Sequence, residues 1–136
     1  MPVRSSEATW EGDLRGGSGS MTIGDGVYQG AYSFASRFQE GDGTNPEELI
    51  AAAHAGCFAM ALANGLAEAG FDPQRVHATA SVHLEDGAIT RSVLEVEAEI
   101  PDISESEFLE AVAEAEVNCP VSQALDIEIE AHGTLL

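Results

Sequence analysis

The sequence predicts an α+β domain in which one long, nearly apolar helix is set among strands of alternating polarity. Three observations carry this. Asn45-Pro46-Glu47-Glu48 opens a run that stays apolar to about Ala69 and stops at Gly70. Two strand-like segments, Val76 to Glu85 and Ala88 to Ile100, flank an Asp86-Gly87 pair. The closing stretch, Ile127 to Leu135, alternates once more. At 136 residues the chain suffices for one domain with a real core, and 1–136 is read as a single domain.

The first 40 residues read as strands, with Ala8 to Gly12 and Gly19 to Ile23 separated by a turn at Gly16-Gly17. A loop from Gln39 leads to Asn45, an N-cap residue followed by Pro46 at the first helical position, and Glu48 stands where a capping box closes. The helix that follows is rich in alanine, so neighbouring backbones can approach it closely. A helix of this length spans about 36 Å, more than a small domain covers, which predicts a homodimer that shares its burial. Asp86-Gly87 favours a tight hairpin. Val93 to Ile100 alternates acids with apolar residues, and Pro101 closes it. Ser104 with Glu107 caps a second helix bearing Phe108, Leu109, Val112 and Ala115 and ending at Asn118. Cys119-Pro120 restarts a short helical turn. In the last strand Ile127, Ile129 and Ala131 point inward against Glu128, Glu130 and His132.

Composition narrows the function. The chain carries 24 Asp+Glu against 5 Lys+Arg, a formal charge of −19, and all its bases are arginine. So negative a surface repels phosphate backbones and anionic lipids, which argues against nucleic-acid and membrane partners. With 44% hydrophobic residues it is no disordered acidic tail. The charge suits a protein kept soluble in concentrated salt, where screening acts within about 3 Å at 1 M; an ordinary acidic cytosolic protein is the plainer reading. Residues 1–20 are polar and rich in Gly and Ser, with no apolar signal core, so a cytoplasmic setting is expected. Ile50 to Leu66 is apolar but interrupted by His54 and Asn64, which favours a buried helix over a membrane span.

Two cysteines outside a secretory context point to redox or nucleophilic chemistry. Cys57 lies mid-helix, where most thiols are simply small buried hydrophobes. Cys119 lies at a helix start, where the dipole lowers a thiol pKa or where the residue is an incidental cap. Their separation excludes a CxxC or zinc spacing, and His54, one turn before Cys57, does not complete a metal site. A buried Cys57 is inert unless a cation is brought to it, because the helix N-terminus is too distant. Arg37, in Ser36-Arg37-Phe38, is placed just before the helix, and Glu47 is free to hold it. The same two residues serve equally as a surface pair worth under about 1 kcal/mol.

The segment Thr44-Asn45-Pro46-Glu47-Glu48-Leu49-Ile50-Ala51-Ala52-Ala53-His54-Ala55-Gly56-Cys57-Phe58-Ala59-Met60-Ala61-Leu62 resembles the signature helix of the OsmC/Ohr family of peroxidases. Cys119-Pro120-Val121-Ser122-Gln123-Ala124-Leu125 resembles its second cysteine motif, and Trp10 to Leu14 and Ser36-Arg37-Phe38 fit in the right order. The context of His54, the Cys-Pro-Val-Ser-Gln run and an arginine just before the helix are similar to the OsmC branch. The resemblance implies an intertwined homodimer with antiparallel sheets wrapped around a long central helix and active sites at the subunit interface. It implies Cys57 as peroxidatic thiolate, Cys119 as resolving thiol, Arg37 as activating cation and Glu47 as its partner. It further implies no bound metal, haem or flavin, an organic hydroperoxide as substrate, and electrons from a dithiol such as a lipoylated partner protein. Sulfenic acid on Cys57 would then condense with Cys119 to a disulfide. Phe34, Phe38, Phe58, Met60 and Val121 are the apolar surroundings expected to favour organic hydroperoxides. Two other readings compete: a hydrolase using Cys57 and His54, and a redox sensor or structural dimer without turnover.

Overall fold

The computed structural model describes residues 2–136 and has the α+β character expected. The chain divides into two compact units, the first ending at Leu49 and the second running Ile50–Leu136.

In the first unit, β1 (Ser6–Glu11), β2 (Ser18–Ile23) and β3 (Tyr28–Tyr32) form an antiparallel sheet in sequential order. Trp10 fastens the β1–β2 connection: its indole N–H is shared by the Gly12 and Asp13 carbonyls, both at 3.1 Å, and its ring lies 5.3 Å from that of Tyr32. A short helix that the sequence reading left out, α1 (Phe34–Phe38), follows at once. Its signal is local: Ser33 accepts from the Ser36 N–H and the Ser36 hydroxyl accepts from the Ser33 N–H, a capping box built from two serines. One turn long, it shows no periodicity to detect.

The long helix α2 (Pro46–Glu68) begins at the predicted residue. Asn45 caps it by accepting from the Glu48 N–H at 2.8 Å. The Glu48 carboxylate does not complete the expected box, because it is taken by the Thr44 hydroxyl, which donates to it at 3.1 Å. The Asn45 amide meanwhile donates to the Ser36 carbonyl, tying the helix start to α1.

In the second unit, β4 (Arg75–Glu85) and β5 (Ala88–Glu99) form the expected hairpin. Asp86 and Gly87 both take positive φ, 51° and 78°, as a two-residue turn matching the strand twist requires. The capping box at Ser104 and Glu107 starts α3 (Glu105–Asn118), and α4 (Pro120–Ala124) follows directly. β6 (Glu128–Leu135) then pairs with β5 in parallel. This departs from the antiparallel expectation, and its cause is the α3–α4 crossover, which carries the chain back to the end of the sheet where β5 began.

Register explains which residues of β5 go inward. Ser92, Leu94, Val96 and Ala98 are buried while Glu95 and Glu99 face out. Opposite them lie Ala80, Ala78 and Val76 on β4, and Ala131, Gly133 and Leu135 on β6. Against this face pack Phe58, Leu62 and Leu66 of α2 and Phe108, Val112 and Ala115 of α3. Only this one stripe of α2 is fully buried in the single chain; Met60 is 76% exposed. The sequence expectation of cover on several sides is therefore not met within one chain, because the unit has a single sheet face to offer.

Gly133 marks the closest approach of α3 to the sheet. A Cβ there would lie 2.9 Å from the Phe108 ring and 3.0 Å from a Val112 methyl. Gly133→Val is expected to destabilise the fold by about 1–3 kcal/mol through overpacking. A lowered urea midpoint with unchanged slope checks this; an unchanged midpoint would show that α3 moves away freely.

Candidate active site

Arg37 occupies the last turn of α1 and Glu47 the first turn of α2, so the loop between them sets their approach. The guanidinium grips both carboxylate oxygens: Nε donates to Oε1 at 3.0 Å and Nη2 to Oε2 at 3.2 Å. Glu47 is buried and Arg37 about one-third exposed, which makes this a two-point clamp and not the loose surface pair of the plainer reading. Arg37 also lies 5.2 Å from the centre of the Phe38 ring. Trp10, Leu14, Tyr32, Phe34, Arg37 and Phe38 line a cavity of about 210 Å³ in the first unit. A cation is thus held by one carboxylate and walled by aromatic rings.

The second unit holds the thiols. Both cysteines are free, Cys57 half-buried and Cys119 fully buried. Far apart in sequence, they meet within hydrogen-bonding reach of one another. Burial pushes the Cys57 thiol up, its hydrogen bond with Cys119 adds to this, and the Val121 backbone N–H only partly opposes it. Burial acts on Cys119 in the same sense, but there it is outweighed. Close polar contacts with Cys57, with the backbone and hydroxyl of Ser122 and with the Val121 backbone bring Cys119 below its ordinary value. Its sulfur makes no regular side-chain cap on α4.

His54 is fully buried, and both ring nitrogens are occupied. Nδ1 lies 2.7 Å from the Ser92 hydroxyl on β5 and Nε2 2.7 Å from the Ser122 hydroxyl on α4. It has no nitrogen left to take a proton from Cys57, which counts against the hydrolase reading, and among the described residues no group of three His, Cys, Asp or Glu could hold a metal. The serines were missed from sequence. Their signal was a hydroxyl in the inward row of β5 and a histidine in the apolar stripe of α2, two misfits that satisfy each other.

The model of the OsmC-like protein family matches residues 39–132, a span that includes Glu47 and both cysteines and begins after Arg37. The chain belongs to the OsmC family. Peroxiredoxin OsmC of Escherichia coli (strain K12) is 45% identical over 131 residues, covering 93% of this chain and 92% of that protein. The organic hydroperoxide resistance protein OhrB of Bacillus subtilis is similar in structure, with a TM-score of 0.64 at 25% identity over 97% of this chain and 98% of the other. An OsmC-like protein from Mycoplasma pneumoniae shares the fold at a TM-score of 0.74 and 20% identity, over 99% and 98% of the two chains.

The apolar residues expected near an OsmC-type site divide in the structure. Phe34 and Phe38 line the Arg37 cavity, Phe58 is core, Val121 is half-buried beside the core, and Met60 is exposed.

Burial holds His54 below the ordinary imidazole value of about 6.5, so the folded chain keeps it neutral while the unfolded chain protonates it. The unfolded state binds more protons in the window from 6.5 down to the folded value, so stability falls as pH drops through that window. His54→Gln is expected to flatten this part of the stability curve. Denaturant midpoints at pH 7.5 and 5.5 check it; equal slopes for both proteins would show that His54 titrates freely.

Proposed function

We propose that this cysteine peroxidase of the OsmC family reduces organic hydroperoxides through Cys57, with Cys119 as the resolving thiol and Arg37, held by Glu47, as the activating cation. The thiol-dependent peroxidase activity follows from membership of the family and from 45% identity to peroxiredoxin OsmC. The observation that carries the assignment of residues is the contact between Cys57 and Cys119, two thiols remote in sequence that need no large movement to join.

The cycle follows from thiol chemistry. Arg37 stabilises the Cys57 thiolate, which attacks the terminal peroxide oxygen; the O–O bond breaks and the alkoxide leaves with a proton as alcohol. Cys57 is now a sulfenic acid. Cys119 sulfur attacks it, the S–S bond forms, the S–O bond breaks, and water departs. A dithiol then exchanges with the disulfide and restores both thiols, a lipoylated protein being the kind of donor expected. Thiols alone carry these electrons, so no prosthetic group is required. A cation beside aromatic walls suits a hydroperoxide with an apolar tail better than hydrogen peroxide.

The working form in this proposal is a homodimer of single-domain chains, acting in the reducing cytoplasm, where free thiols persist. Support for the dimer comes from α2, whose small or apolar residues outside the buried stripe remain exposed in one chain.

One equivalent of cumene hydroperoxide added to reduced protein is expected to remove both thiols and two hydrogens from the intact mass, faster than hydrogen peroxide does. Cys57→Ser is expected to leave Cys119 unreacted, and Cys119→Ser to turn over once and stall. Arg37→Ala is expected to slow the first step about 10- to 1,000-fold, the one to three pKa units a nearby cation supplies. Two intact thiols in folded parent protein would overturn the proposal, and a Cys119→Ser variant that cycles normally would remove Cys119 from the resolving role.

A further inference from the structure

We propose that Ser92, His54 and Ser122 form a positioning relay for the resolving thiol, holding the Ser122 hydroxyl as a donor to Cys119 while the disulfide closes. The inference rests on Cys119 being the resolving cysteine, as proposed above. Three elements contribute: Ser92 from β5, His54 from α2 and Ser122 from α4. Ser92 Oγ lies 2.7 Å from His54 Nδ1, His54 Nε2 lies 2.7 Å from Ser122 Oγ, and Ser122 stands in the first turn of α4, three residues after its N-cap Cys119, with the hydroxyl beside that sulfur. Every member is sealed from water: Ser92, His54 and Cys119 are 0% exposed and Ser122 is 8% exposed.

The direction of the relay follows from counting protons. A neutral imidazole has one N–H and one lone pair. With the proton on Nε2, the ring donates to Ser122 Oγ, Ser92 donates to Nδ1, and the Ser122 O–H is free to aim at the Cys119 sulfur. With the proton on Nδ1, Nε2 takes the Ser122 O–H and no donor remains for the sulfur. A negative Cys119 favours the first arrangement, since all donors then point toward the charge; a protonated Cys119 donates to Ser122 and favours the second. Packing alone would be served by apolar side chains of similar size, whose burial needs no partners. A polar chain from three elements that ends on a reacting sulfur points to the chemistry of that sulfur.

The step it serves is balanced. The Cys119 sulfur, as thiolate, attacks the Cys57 sulfenic sulfur; the S–S bond forms as the S–O bond breaks. Cys119 is oxidised, the sulfenic sulfur is reduced, and the departing hydroxide takes one proton to leave as water.

The test separates the two chemical steps in single turnover with cumene hydroperoxide, trapping Cys57 sulfenic acid with dimedone and following disulfide by loss of the second thiol. Ser122→Ala is expected to slow disulfide closure about 10-fold or more relative to Cys57 oxidation, the effect of one hydrogen bond to a charged group. Cys57 accumulates as sulfinic acid when the hydroperoxide is in excess. Ser122→Thr, which keeps the hydroxyl, restores closure. His54→Gln, with an amide in place of the ring, gives an intermediate rate and replaces Ser122→Ala should that chain fail to fold. Both steps slowing together, or closure at the parent rate in Ser122→Ala, would overturn the relay alone. Absence of a trappable sulfenic acid on Cys57 in Cys119→Ser, where no resolving thiol consumes it, would overturn the cycle and the relay with it.

Discussion

His54 sits in the apolar stripe of α2, and an imidazole can be buried there only because two serines satisfy it. Losing either partner would leave a polar nitrogen in a dry core, at a cost of about 1–3 kcal/mol. That requirement fixes the rotation of the helix against β5 and α4. Phe58, Leu62 and Leu66 follow at four-residue steps and continue the same stripe into the core. Cys57, three residues after His54, is thereby turned to the edge of the stripe, half-buried and against Cys119. The thiol contact is a consequence of the buried histidine as much as of the cysteines themselves.

The opposite problem arises in the first unit, where a positive charge must be kept usable in an acidic chain. With 24 acids present, an arginine left loose would be drawn to whichever carboxylate lay nearest. Glu47 removes that freedom by taking Nε and Nη2 of Arg37 together, at 3.0 and 3.2 Å. The fork geometry leaves the remaining guanidinium N–H groups free of that carboxylate, and a lysine would not offer the same division. Aromatic rings line the other side and offer no second carboxylate to compete for the charge.

Much of this was legible in the sequence, and the parts that were not share a cause. Asn45-Pro46, Asp86-Gly87 and the Ser104/Glu107 pair are local signals, and the structure contains each where the residues put it. The Arg37–Glu47 pair was readable because only arginines were available and one stood before the helix. The parallel seating of β6 was not, because alternation records which face a residue takes and not the direction of its neighbour. Ser92 and Ser122 escaped for a related reason. Each looks ordinary in its own segment, and each becomes meaningful only when β5 and α4 converge on His54.

The proposed cycle asks the same two sulfurs to carry the negative charge in turn. Cys57 must be the anion when the peroxide arrives, and Cys119 when the sulfenic acid is resolved. Burial opposes charge on both sulfurs, and the Ser122 contacts offset it at Cys119, the sulfur that the second step needs as an anion. A cation is therefore needed only at the start, to overcome the burial of Cys57. Once Cys57 carries oxygen it no longer holds a thiol proton, and the proton on Cys119 has to leave before the second attack, ending on the departing alcohol or water. Two sulfurs held against one another thus act as nucleophile in turn, each once its own proton has left.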